Sequence, residues 1–193
     1  MKVNQRILIL CEGLTEYYYA RALHSELPRA VQRSVSVEVD YSQKNDPKHL
    51  ANEAVRRAKK AKKDRNAYDA IWLFFDHDNS PHLEVAFDII ESHGMKSAFC
   101  AICIEHWFIL HYEDCGKAFA NGAEAIEHLK SLWPEYHKTK SKPYEKLKAN
   151  LENAKKRAGI LMKNQEKGLP LSKRNPYFSV CDLIEFFEDL RKQ

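Results

Sequence analysis

The sequence predicts an α/β fold: a four-stranded, mainly parallel sheet with helices on both faces over residues 1–116, followed by a helical region over 117–193. Three observations predict it. RILILC (6–11) and AIWLFF (70–75) are apolar throughout, as strands buried on both faces are. Segments of helical period separate the strand candidates, which calls for right-handed crossovers and parallel pairing. Past residue 112 the pattern is helical only.

The elements follow in order. The first strand, 6–11, stops at Glu12 and Gly13, and Thr15 is placed to cap a helix over 16–27. VSVEVDY (35–41) alternates valine with Ser, Glu and Asp, so this second strand has one polar face and belongs toward an edge. Asp46-Pro47 opens a helix with Leu50, Ala51, Ala54, Val55, Ala58 and Ala61 on one stripe. The third strand, 70–75, runs into Asp76, His77 and Asp78. Ser80 and Pro81 read as a cap and first helical residue; Leu83, Ala86, Phe87 and Ile90 keep helical spacing, and Gly94 ends it. The fourth strand, 97–104, leads into a helical EHWFILHYED. Helices are then predicted over 123–133, 144–163 and 180–191, the last with Ser179 and Asp182 as a capping box, and 164–178 as a loop.

The chain has 193 residues, 44% of them hydrophobic and 30% charged, with six glycines and seven prolines, which excludes fibrous and disordered classes. No apolar run approaches the roughly 20 residues that span a bilayer, and MKVNQRILILCEG is interrupted too early for a secretory signal. A cytoplasmic protein without membrane attachment is expected. Five scattered cysteines, an odd number, point to reduced thiols. Cys100 and Cys103 form a CxxC, but inside a strand positions three apart face opposite sides, and no second CxxC exists, so zinc is not expected there.

A net charge of +4 conceals segregation. Residues 44–65 carry nine Lys/Arg against three Asp/Glu, and 137–174 carry twelve against three, while 66–136 carry three against twelve. Two basic flanks around an acidic centre suit a polyanion whose phosphates the lysines neutralise while the carboxylates hold a metal. The expected nucleic-acid contacts are Arg56, Arg57, Lys59, Lys60 and Lys63 in one flank, and Lys138, Lys140, Lys142, Lys155 and Lys156 in the other. For either flank alone the plainer reading is a solvated helix face.

The acids at the strand ends carry the chemistry. Asp76 and Asp78 follow a buried strand and, two apart in extended chain, share a face. Glu12 ends the first strand, and ligands gather at the carboxyl edge of open α/β sheets. Carboxylates brought together there either raise a pKa or recruit a cation, and hard oxygen ligands suit Mg²⁺ or Mn²⁺. The plainer alternative is that Asp76 caps the following turn and Asp78 merely ends the strand. His77 points away and takes no metal role; Trp107 and Phe108 belong to the core.

LILCEG followed by LFFDHD resembles the Toprim domain of topoisomerases, primases and a group of nucleases. CEGLTEYYYARAL, FFDHD, IEHWFILHYED and NPYFSVCDLIEFF are similar, in that order, to the RloB-like Toprim family of bacterial anti-phage abortive infection proteins. The resemblance implies a Toprim-like sheet, Glu12 as general base or acid, and Mg²⁺ held by Asp76 and Asp78, with Glu105 as a further ligand. Where the family motif around Glu105, Trp107 and His111 opens with Ser-Asn-Pro, this chain has Cys100, Ala101 and Ile102. Tyr144 and Lys146 resemble a family Tyr-x-Lys, and Asn175 and Pro176 a family Asn-Pro. An ATPase partner of the ABC or OLD type is implied as well, and a homodimer is compatible with the sequence.

The expected activity is thus metal-dependent phosphodiester hydrolysis of DNA or RNA, tRNA included, by a toxic effector of abortive infection. Water is a simpler nucleophile than any of the nine tyrosines. His111 and Lys146 are candidate transition-state contacts, against the plainer readings of a structural histidine and a surface lysine. Two other classes stay open. A haloacid dehalogenase-like phosphatase would use Asp76 as nucleophile, though its motif normally opens the domain and would leave Glu12 idle. A non-catalytic module binding nucleic acid or the ATPase would need the basic runs and not the acids.

Overall fold

The computed structural model describes residues 5–44, 46–165 and 168–192. Strands β1 (Gln5–Cys11), β2 (Val35–Tyr41), β3 (Ala70–Asp76), β4 (Lys96–Ala101) and β5 (Tyr177–Phe178) form one sheet in the order β2-β1-β3-β4-β5. The first four are mutually parallel, and β5 runs antiparallel to β4. The chain therefore builds the predicted α/β architecture, with β2 at the edge its polar alternation assigns to it.

Burial on both faces explains the unbroken apolar runs. On one face Ile7, Ile9, Cys11, Trp72 and Phe74 pack beneath α1 (Leu14–Ser25), α5 (Ile104–Ile109) and α9 (Val180–Arg191). On the other, Leu8, Leu10, Leu73 and Phe75 meet α3 (Pro47–Lys63) and α4 (Leu83–Ser92). Alternate residues of one strand thus feed two cores. The α5 side carries the larger, which also takes in Phe119, Leu129, Leu147, Ala158 and Leu190.

Several boundaries differ from the sequence expectation for identifiable reasons. The fifth strand lies in the segment predicted as loop, because two residues carry no period; Tyr177 and Phe178 pair with Ala101 and Cys100. Ser179 does precede α9, yet its side chain forms no cap: it accepts from Phe99 N (2.9 Å) and donates to Ser97 O (3.2 Å), stitching the helix start to β4. Gly13, not Thr15, sits at the N-cap of α1; Thr15 is buried and its hydroxyl donates to the Lys138 carbonyl. A short helix α2 (Arg29–Ser34) precedes β2, and β4 ends at Ala101, not 104. α4 begins at Leu83, after a turn at Ser80-Pro81, and ends before Gly94 at φ +62°, a conformation glycine adopts freely. The segment read as one helix over 144–163 is α7 (Pro143–Leu147), a 3₁₀ turn (Lys148–Asn150) and α8 (Leu151–Lys163), after α6 (Gly122–Leu132). Asp46 caps α3 as expected, accepting from His49 N at 2.9 Å.

One hydrogen bond ties α1 to α5 inside the core: Trp107 Nε1 donates to the Tyr19 hydroxyl at 2.9 Å, both residues being buried. Tyr19→Phe strands the indole N–H, so it is expected to cost about 1–3 kcal/mol, read as a lower urea midpoint at unchanged slope. No helix among the described residues is long and apolar enough to cross a membrane.

Candidate functional site

Because β1 and β3 are parallel neighbours, their carboxyl ends open on the same edge, with Cys11 opposite Phe74 and Asp76 opposite Cys100. Glu12, one residue past β1, donates its N–H to the Phe74 carbonyl at 2.9 Å. Its side chain accepts from the Asp76 N–H at 3.3 Å. Two acids 64 positions apart are thereby in contact.

Asp78 stands differently from the expectation. The strand ends at Asp76; Asp78 (φ +40°) and Asn79 (φ +53°) turn through the left-handed region that Asp and Asn tolerate better than most residues. Asp78 is exposed at the cleft rim, and its N–H donates to the Ile102 carbonyl at 3.1 Å. The start of α6 comes so close that a Cβ on Gly122 would lie 3.3 Å from Asp78 Oδ1. His77 turns away, its Nε2 hydrogen-bonding the Ser172 carbonyl at 2.9 Å.

Two further carboxylates complete the group. Glu16 of α1 is 5% exposed and lies in hydrogen-bonding contact with the Asp76 carboxyl. Glu105, in the first turn of α5, is fully buried and accepts from the Tyr136 hydroxyl at 2.8 Å. Asp76 Oδ1 and Glu105 Oε2 are buried with no hydrogen-bond partner. Asp76, Glu12, Glu16, Asp78 and Asp46 line a cleft of about 730 Å³, with Lys138 across from them.

Burial and mutual repulsion shape the titration. Burial, then Glu16, Glu105, Asp78 and Glu12, hold Asp76 well above the usual carboxylate range. Glu12 rises to about 7, driven first by burial and then by Glu16, Asp78 and Asp46, against the Asp76 N–H bond. Glu16 also rises to about 7, through burial and Glu105, with its own backbone N–H, Lys138 and the Asp76 hydrogen bond pulling down. Burial works against charge on Lys138, yet Glu105, Asp76, Glu16 and Asp78 outweigh it and keep the ammonium protonated. This is a site short of positive charge.

Among the described residues the three donors whose ligand atoms all lie within 4.8 Å of one another are elsewhere: Glu113, Cys115 and His128. The cleft acids are spread more widely, which suits an ion that keeps several of its waters. In the Glu-Cys-His group, His128 Nε2 and Glu113 Oε1 are 2.7 Å apart. The sequence expectation missed this group; Glu-x-Cys followed by a histidine on the next helix is the signal it left. All five cysteines are free, as expected.

The family model described as RloB-like protein matches residues 7–187. The chain belongs to the RloB-like family. No curated protein and no solved structure matches it.

Not every residue singled out in the RloB-like chain meets at the cleft. His111 is buried on the α5 side, its Nδ1 on the Trp107 carbonyl at 3.0 Å, and burial lowers it to about 4. Lys146 is exposed on α7, and neither residue lines the cleft. The run Arg56, Lys59, Lys60 and Lys63 is exposed toward the C-terminal end of α3. At about 1.5 Å per residue that places it some 15–25 Å from the cleft-lining Pro47. Arg57 is taken up by Glu53 (2.6 Å) and Asp40 (2.7 Å), and Lys155 by Glu188 (2.8 Å). Lys156 is exposed on α8, whereas Lys138, Lys140 and Lys142 lie together on the segment between α6 and α7.

Proposed function

We propose that this RloB-like protein is a metal-dependent nuclease that hydrolyses phosphodiester bonds of DNA or RNA at the acidic cleft, as a toxic effector of anti-phage abortive infection. The observation that carries the reading is Asp76: a buried carboxyl with an unpartnered Oδ1, ringed by Glu12, Glu16, Asp78 and Glu105. So many acids around one buried oxygen fit a divalent cation. Asp76 and Asp78 would hold Mg²⁺ or Mn²⁺, with Glu12 beside the ion and Glu105 beneath it. Bound there, the ion supplies positive charge against a non-bridging phosphate oxygen.

The chain's own groups supply the rest. Glu12, just past the end of β1 and in contact with Asp76, is placed to take a proton from an attacking water and to return one to the leaving oxygen. Lys138 offers the cleft a fixed cation toward phosphate. A phosphatase using Asp76 as nucleophile would leave Glu12, whose side chain is in contact with it, without a role, which weighs against that reading. Reduced thiols support a cytoplasmic setting, and the likeness to RloB-like proteins supports an ATPase partner of the ABC or OLD type.

The test incubates the purified chain with labelled plasmid, single-stranded DNA and total tRNA, in Mg²⁺ or EDTA, beside Glu12→Ala. Cleavage is expected in Mg²⁺ alone, and the variant is expected to be slower by about 10²–10⁴. Equal cleavage by native chain and variant would remove the enzyme claim.

A further inference from the structure

The outward face of α1 carries a feature that the acids do not explain. Thr15, Glu16, Tyr19, Ala20 and Leu23 are buried, so Tyr17, Tyr18 and Arg21 are left on the other side. Tyr18 is 48% exposed, so its ring is open to solvent. Tyr17 supports it edge-on, centroids 5.4 Å apart, and is itself braced by Tyr41 at 5.2 Å. The Arg21 guanidinium lies 5.9 Å from the Tyr17 ring.

Tyr17 and Tyr18 line a second cleft of about 390 Å³ whose lining includes Lys140 and Lys142. Three cations there face the single carboxylate of Glu145. Thr139 borders both this cleft and the acidic one, so the two are neighbours. The Thr15 hydroxyl, bonded to the Lys138 carbonyl, pins the basic segment against α1. An exposed aromatic ring beside a track of cations is the combination that binds single strands, since rings stack on bases while ammonium groups follow the phosphates.

We propose that the Tyr18 cleft seats unpaired nucleotides of single-stranded DNA or RNA and leads their phosphodiester toward Glu12 and Asp76. The proposal rests on the nuclease reading for its purpose, though not for the binding itself. A duplex cannot use this cleft, because its base faces are already covered by their neighbours. The Arg56–Lys63 run does not line the cleft and has no part in it.

The experiment measures fluorescence anisotropy of labelled oligo(dT), oligo(U) and a duplex of equal length, in EDTA so that nothing is cleaved. Tyr18→Ala is expected to weaken single-strand binding by about tenfold, within the range for one lost stacked base, and Tyr18→Phe to preserve it. Lys140→Ala with Lys142→Ala is expected to weaken binding and flatten its salt dependence. Circular dichroism of each variant confirms folding. Single-strand affinity indifferent to Tyr18→Ala, or a duplex bound equally well, overturns the proposal. Failure of the nuclease reading shows separately: Tyr18-dependent binding without cleavage in Mg²⁺ leaves this proposal standing. Duplex cleavage that ignores Tyr18→Ala does the reverse.

Discussion

Asp76→Asn is expected to abolish Mg²⁺-dependent cleavage, by about 10³-fold or more, and at the same time to make the metal-free protein more stable. The two effects have one cause. In the absence of a cation the Asp76 carboxyl is buried among Glu12, Glu16, Asp78 and Glu105, and either it holds a proton at a cost that grows with pH or it ionises against four neighbours. Asparagine is isosteric and neutral, and its amide N–H can donate to Glu16 as the protonated acid does. At pH 8 in EDTA we expect a gain of about 1–2 kcal/mol, the upper range of a single stabilising substitution. For a chain of this length that raises the melting temperature by several degrees. The stabilisation that Mg²⁺ gives the native chain should be lost in the variant, because the anionic oxygen at the centre of the site is gone. Thermal melts in EDTA and in Mg²⁺ check both halves. A variant that melts lower in EDTA, or still responds fully to Mg²⁺, would show that Asp76 is a structural acid.

How much of this was legible in the sequence depends on the length scale of each signal. β1 and β3 could be read because burial on both faces leaves a composition, Ile-Leu-Ile-Leu or Trp-Leu-Phe-Phe, that few other environments accept. Glu12 and Asp76 could be read because a charge that ends such a run has to sit at the sheet edge, and parallel neighbours share that edge. Asp78 was placed correctly at the cleft for the wrong reason, since period two fails once the chain turns at φ +40°. Glu105 was named through the family resemblance and Glu16 was missed, though both left the same signal: each is an acid on an otherwise apolar stripe, within Ile-Glu-His-Trp-Phe-Ile in α5 and beside Tyr19 and Leu23 in α1. Counting charge by segment fared worse. It grouped Arg56–Lys63 with Lys138–Lys142, and only the fold shows that one run points away while the other borders the acids. β5 was out of reach, because a two-residue strand is specified by β4 and α9, not by its own sequence.

The pH dependence of stability gives the second large effect, with a sign opposite to that of most proteins. Glu12 and Glu16 titrate near 7 when folded, against an ordinary value of 4.5, and Asp76 lies far above its own 3.8. Between the unfolded and folded values the native state binds more protons than the unfolded chain, so stability falls as pH rises. Each such group contributes a slope of about 1.4 kcal/mol per pH unit, less for the half-buried Glu12. Three histidines oppose the acids at lower pH, His24 among them, since burial lowers it too. His106 and His111 are buried and neutral, lowered to about 4 from 6.5, and the unfolded chain binds their protons over that interval, so they make stability rise with pH. Below about 6.5 the two trends largely cancel. Above it the histidines are silent and the acids act alone, with Lys138 the cation that faces them from the 137–142 segment. Urea midpoints in EDTA are therefore expected to change little from pH 5 to 6.5 and then to drop through pH 8. Saturating Mg²⁺ should remove that drop, since it stabilises the ionised carboxylates, and its binding should release protons in this same window. A metal-free stability that stays flat or climbs from pH 6.5 to 8 would mean that these acids do not repel one another, and the cleft would lose its reason to bind a cation.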